Sequence, residues 1–145
     1  MSVAAFTGPQ EGMTEVQRAT LRKLLPAVPV SLLLVGGCIG ADDWAAQVAW
    51  ELGIDTECYP SDIPAKRIIR AGHKVVHPAA PPLDRNKVMV DRADFLIATP
   101  TGPAVRRSGT WSTIRYAHRQ RKHVVLALVD GTVAICNHFN WKEDQ

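Results

Sequence analysis

Short apolar runs alternate along this chain with longer stretches whose apolar residues recur at helical spacing. Val3 to Phe6 is a short first strand. Thr14 and Gln17 have the spacing of a capping box, in which the threonine hydroxyl accepts from the amide three residues on and the glutamine side chain reaches back. Leu21, Leu24 and Leu25 follow at helical spacing, and Pro26 and Pro29 close the element. Ser31 to Val35 is a continuous apolar run, the mark of a strand covered on both faces. Gly36 to Gly40 turns the chain. A helix then opens at Asp42, with Ala45, Ala46, Val48, Ala49 and Leu52 on its apolar side and Gly53 at its end.

The second half repeats the alternation. Ile54 to Tyr59 reads as a third strand, Leu83 to Arg92 as a helix and Asp94 to Pro100 as a strand. Gly109 to Arg121 reads as a helix and His123 to Val129 as a last core strand. Residues 60–82 are rich in proline and basic residues, with a short helix expected over Ala65 to Arg70. A stretch so long and irregular reads as a binding loop or lid. The tail from Gly131 to Gln145, with Phe139 and Trp141, packs back or serves an interface; the pattern does not choose. The expected fold is α/β: one domain over residues 1–145, a Rossmann-like parallel sheet of about five strands, and helices on both faces. Such sheets bind ligands beyond the carboxyl ends of their strands, where strand order reverses.

Composition narrows the class. At 145 residues, with 46% hydrophobic and 21% charged residues, the chain suits a folded water-soluble domain. No apolar run approaches the roughly 18 residues of a membrane span, and the first residues do not resemble a signal peptide. Cys38, Cys58 and Cys136 are far apart and form no Cys-x-x-Cys, which fits a reduced, cytoplasmic setting. The net charge of +3 is mild, but most basic residues lie in the second half, which therefore favours anions.

Two loops carry the candidate chemistry. In Gly36-Gly37-Cys38-Ile39-Gly40-Ala41-Asp42, glycines following a strand allow a phosphate or ribose to approach the backbone. Their spacing is neither Gly-x-Gly-x-x-Gly nor that of a P-loop. Asp42 is either a simple helix cap or a group that binds a ribose hydroxyl or acts as acid or base. The second loop, Ser108-Gly109-Thr110, opens a helix after the run 94–100. The first amides of a helix lack internal partners and carry partial positive charge, so this is a phosphate seat, with Arg106 just upstream. Arg85 and Asn86, near another helix start, are suited to a phosphate or carboxylate and to a base or sugar edge. Cys38, Cys58, His73 and His77 have no metal-ligand spacing, so neither a metal nor a resident cofactor is expected. His118 lies ten residues beyond Ser108, too far along a helix for a serine nucleophile and its base. The basic stretch Arg115 to Lys122 leaves nucleic acid as a weaker option.

Three stretches in this order resemble the SLOG superfamily, which includes the LONELY GUY phosphoribohydrolases and the DNA-processing A proteins. The loop 36–42 looks like the glycine-rich loop of the DNA-processing relatives. Asp84-Arg85-Asn86-Lys87-Val88-Met89 is similar to the Arg-Lys-x-x-Met helix of LONELY GUY proteins. Ser108-Gly109-Thr110 stands where those proteins have Pro-Gly-Gly-x-Gly-Thr-x-x-Glu. The likeness spans roughly residues 30–130. The segment 108–117 also looks like the Ser-Gly-Thr-x-x-Glu-x-Gly-Tyr-Ala pattern of nucleoside 2-deoxyribosyltransferases.

The resemblance implies a nucleotide-like, phosphorylated ligand and a homodimer. It also implies a glutamate that does the chemistry, but Thr113 stands in its place and Arg115 replaces the glycine after it. Breaking an N-glycosidic bond builds positive charge on the sugar, which a threonine cannot stabilise. The expectation is therefore a binding domain without efficient catalysis. In it Arg106, Ser108, Gly109, Thr110 and Arg115 hold phosphate, Gly36, Gly37, Gly40 and Asp42 approach the ribose, and Arg85 and Asn86 close the site. The alternative is an N-glycosidase or deoxyribosyltransferase acting on nucleoside 5′-monophosphates, with Asp42 standing in for the glutamate.

Overall fold

The computed structural model describes residues 2–102 and 108–136. Its elements follow the alternation read from the sequence. They are β1 (Ser2–Thr7), α1 (Glu15–Ala27), β2 (Val30–Val35), α2 (Ala41–Glu51), β3 (Asp55–Cys58), β4 (Val75–Val76), α3 (Pro82–Arg92), β5 (Phe95–Ala98), α4 (Gly109–Arg119), β6 (His123–Ala127) and β7 (Val133–Cys136). The sheet has seven strands in the order β4-β3-β2-β1-β5-β6-β7. This exceeds the expected five because each edge carries one short addition. β4 is only two residues long, and β7 runs antiparallel to β6. Strands β1 to β6 are otherwise parallel.

The two-residue period of each strand sorts the core into two layers. Ala4, Phe6, Leu33, Val35, Ile97 and Val125 face α1 and α2, where they meet Leu21, Leu25, Ala45 and Ala49. Ala5, Leu34, Leu96, Ala98, Val124 and Leu126 face α3 and α4, against Met89, Val90, Ile114 and Ala117. Leu21, Leu33, Leu34 and Ile97 are fully buried. Truncating one such leucine to alanine costs about 2–5 kcal/mol.

The helix ends explain themselves locally. Thr14 and Gln17 form the reciprocal capping box of α1, and Pro26 lies in its final turn. Gln17 also runs inward: its Nε2 donates to the Pro100 carbonyl (2.8 Å) and the Ala127 carbonyl (2.9 Å). One buried amide thus ties α1 to the ends of β5 and β6. The first half of the chain builds outward from β1 through β2 to β3, and the second half builds the other way through β5 and β6. Strand order therefore reverses between β1 and β5, and the loops after those strands part to leave a crevice.

Candidate functional site

A cleft of about 430 Å³ opens at this reversal, a size suited to a small-molecule ligand. Its walls come from the loop after β1 (Thr7 to Glu11), the loop after β2 (Cys38, Ile39) and the first turn of α2 (Asp42). Ser61 and Lys66 of the 60–82 segment and the starts of α3 and α4 complete them. Two helix N-termini therefore face one space. Pro82, Leu83, Arg85 and Asn86 belong to the first turns of α3, and Ser108, Gly109 and Thr110 to the start of α4. No side chain caps α3. Ser108 caps α4, its Oγ accepting from the Trp111 amide at 3.2 Å. The amides of Gly109 and Thr110 meet no acceptor among the described residues. A Cβ placed on Gly109 would touch nothing within 4 Å, so the helix start is open to the cleft.

Arg85 is the internal staple of the site. It is buried, and its guanidinium donates to the carbonyls of Gly36, Tyr59 (2.8 Å) and Pro82 (3.1 Å) and to Cys38 Sγ (2.9 Å). These bonds lock the glycine loop to the end of β3 and the start of α3. Residue 36 must be glycine for this to fit, since a Cβ there would run into both Arg85 and the Asp42 carboxylate. Gly36, Gly37 and Gly40 shape the floor and are not themselves cleft walls. Gly40 has φ near 90° and sits against the Gln10 carbonyl, while the Ala41 amide donates to the Pro9 carbonyl at 3.1 Å. The loop after β1 thus closes the N-terminus of α2.

Asp42 lies at the second position of α2, one residue after the helix begins, and the helix is capped at Gly40. It is buried yet lines the cleft. Burial raises its carboxyl to about 6, against the opposing pull of Arg85, the Cys38 thiol and the amides of Cys38 and Gly36. Burial likewise raises the thiol of Cys38 and lifts Cys58 to about 11, so both remain protonated at neutral pH.

The remaining sequence candidates divide. Asn86 lines the cleft, and its Nδ2 donates to Thr113 Oγ1 (2.9 Å), which in turn donates to the Gly109 carbonyl (2.9 Å). Arg115 is not among the described residues that line the cleft. Arg106 lies outside the described residues.

The segment 60–82 is not a detached lid. The Ile39 amide donates to the Lys66 carbonyl (3.0 Å) and the Ile68 amide to the Gly37 carbonyl (2.8 Å). In place of the expected helix over 65–70 it has one 3₁₀ turn at Pro64–Lys66. Ser61 and Lys66 were missed as wall residues; nothing periodic marks them, and only the folded segment brings them to the cleft.

His73 and His77 serve elsewhere. His73 Nδ1 lies 2.8 Å from Thr56 Oγ1, and His77 Nε2 lies 2.7 Å from Glu57 Oε1. Among the described residues no three His, Cys, Asp or Glu side chains gather to hold a metal ion, and no helix is long and apolar enough to cross a membrane.

No family model matches the sequence, and no curated protein matches it significantly. Solved structures do resemble it. One is the molybdenum cofactor binding protein from the phototrophic bacterium Rippkaea orientalis, with a TM-score of 0.67 and 23% identity over 87% of this chain and 76% of that one. Another is the Moco carrier protein from Chlamydomonas reinhardtii, with a TM-score of 0.67 and 23% identity over 88% and 75% of the two chains. A third is DNA processing protein A from Helicobacter pylori, with a TM-score of 0.58 and 19% identity over 86% of this chain but only 64% of that one. At such identities the likeness concerns architecture alone, a Rossmann-like α/β sheet flanked by helices.

Proposed function

We propose that the chain binds a phosphorylated, nucleotide-like small molecule in the cleft between β1 and β5, without efficient catalysis. The observation that carries this reading is the meeting of two helix N-termini, α3 and α4, in one cleft beside Lys66. Helix N-termini present unbonded amides and partial positive charge, and each favours a negatively charged group. Gly109 and Thr110 supply the amides nearest the open space. Two of the similar structures are named for binding or carrying the molybdenum cofactor, which agrees with a small-molecule ligand. A homodimer is part of the proposal, with the exposed Leu83 and Val88 on α3 as its apolar surface.

The catalytic alternative has one observation in its favour, a carboxyl on the cleft wall that titrates near neutrality. Against it, Thr113 occupies the place of the family glutamate and its hydroxyl is bonded to the Gly109 carbonyl.

Gly109→Glu provides the test. The site has room for a side chain, and a carboxylate there suits the helix dipole, so the variant keeps its thermal stability. Its charge takes the place of the bound anion, and affinity for nucleoside monophosphates measured by calorimetry falls at least about tenfold. Equal binding by the variant and the parent chain, or no binding of any phosphate compound by the parent, overturns the proposal. Release of free base from a monophosphate, lost in Asp42→Asn, would replace it with the catalytic reading.

A further inference from the structure

A second cavity, of about 130 Å³, lies between α3 and α4, and Leu83 and Asn86 are walls of both this space and the main cleft. Asn86 Nδ2 donates to Thr113 Oγ1 at 2.9 Å, and Thr113 lines the second space only. That bond ties the two helices together at the sill between the two spaces. Beyond the sill the walls are cationic. Lys87 comes from α3 and Arg119 from the last turn of α4, Ser112 adds a hydroxyl, and no Asp or Glu is among the described walls.

The disposition of Lys87 sets it apart from an ordinary surface lysine. On a helix a lysine pairs with carboxylates three or four residues away, and Asp84 and Asp91 stand at those spacings. None of the ion pairs among the described residues involves Lys87. Asp91 instead accepts from the Tyr116 hydroxyl at 2.7 Å. The Lys87 ammonium lies 5.7 Å over the face of the Tyr116 ring, and both residues line the cavity. The tyrosine hydroxyl is thus turned to Asp91, and the lysine charge is left at the pocket.

We propose that this pocket is a second anion subsite for the same ligand, and that the ligand class is a nucleotide with phosphates on both sides of its sugar. This rests on the phosphate-seat reading above. The cavity has the volume of roughly four waters, which suits a phosphate group and excludes a second ring. It centres near Thr113 and Tyr116, roughly 7 Å along the α4 axis from the amides of Gly109 and Thr110 at the rise of an α-helix. Two phosphates joined by one bridging oxygen cannot span that interval across the sill. Phosphates carried on the 5′ and 3′ oxygens of one ribose are held apart by the sugar and can. A nucleoside 3′,5′-bisphosphate therefore matches the pair of sites, and a linear diphosphate does not.

The experiment compares AMP, ADP and adenosine 3′,5′-bisphosphate by calorimetry on the full chain, on Lys87→Ala and on Ser112→Glu. Lys87 is exposed and Ser112 half-buried on a helix, so both substitutions spare the core. The expected result is the bisphosphate binding about tenfold or more tighter than AMP and than ADP. That ratio falls towards unity when Lys87 loses its charge, and when a carboxylate is brought into the pocket at 112. Lys74→Ala, which removes a cation paired with Asp55 on the β3 side, keeps the parent ratio and excludes a general effect of net charge. Equal affinities for the three nucleotides, or a bisphosphate advantage that survives in Lys87→Ala and Ser112→Glu, overturn the proposal and leave the phosphate seat standing. Absence of binding by all three and by inorganic phosphate overturns both readings. The ligand series on the parent chain needs no substitution, so a variant that fails to fold does not blunt the test.

Discussion

At the scale of single residues, the site is built at the expense of stability. The Asp42 carboxyl titrates near 3.8 when solvated and at about 6 in the folded chain. A carboxyl raised by folding adds stability only while protonated. That contribution is complete below pH 3.8 and disappears as the pH passes through 6. At neutral pH the folded state therefore carries a burdened charge, worth as much as about 3 kcal/mol. Asp42→Asn should raise the melting temperature at pH 7.5, and the gain should vanish below about pH 4, as scanning calorimetry at both pH values will show. A variant less stable at pH 7.5 would mean that the bonds from Gly36 and Cys38 outweigh the burial. Arg85 illustrates what single residues conceal in a sequence. A lone arginine at a helix start reads as a ligand-binding cation, and only the folded loop shows its donors committed to Gly36, Tyr59, Pro82 and Cys38.

At the scale of elements, β3 and α3 are clamped together by charge. Arg92 Nη1 and Nη2 hold the Glu57 carboxylate at 2.5 Å and 3.0 Å, and Arg92 also reaches the Tyr59 hydroxyl at 2.7 Å. His77 stacks on the Tyr59 ring with centroids 4.0 Å apart, so the clamp extends to the segment following β4. The bond to Arg92 lowers the Glu57 carboxyl from 4.5 to about 2. A carboxyl lowered by folding stabilises above its unfolded value. This contribution should therefore be lost as the pH falls from about 4.5 to about 2. Acid unfolding of Glu57→Gln, followed by circular dichroism, should show a shallower decline than the parent across that window. Parallel declines would remove the clamp from the acid response.

The elements also show why the sequence was legible in parts. β1, β2, β5 and β6 are compact apolar runs, and the capping box of α1 is written in Thr14 and Gln17. β4 consists of two exposed valines, and β7 alternates exposed and half-buried positions over only four residues. Such short edge strands are defined by the neighbour they pair with, and no local pattern announces them.

At the scale of the whole molecule, the cleft depends on loops from both halves of the sheet, and a ligand there stitches them together. Hydrogen exchange with a saturating nucleoside monophosphate should slow amides in the loop after β1, the loop after β2 and the first turns of α3 and α4 together. Protection confined to α4 would mean a simple anion perch and no shared crevice. The placement of the crevice was legible, because two glycine-bearing loops fall at strand ends in an alternating chain. The division of labour among its residues was not. Gly36 makes room for Arg85, Gly37 for Cys58 and Gly40 for the first loop, Arg115 is not among the cleft's described walls, and Lys66 arrives from an irregular segment.

The carbonyl of Pro9 on the Ala41 amide has one more consequence. In dinucleotide readers, a pyrophosphate oxygen lies against the start of the helix that follows a glycine-rich turn. Here a proline carbonyl already sits there. Engineering a full Gly-x-Gly-x-x-Gly fingerprint into residues 36–41 would therefore not create an NAD enzyme, unless the stretch from Gly8 to Gly12 were first rebuilt to vacate that berth.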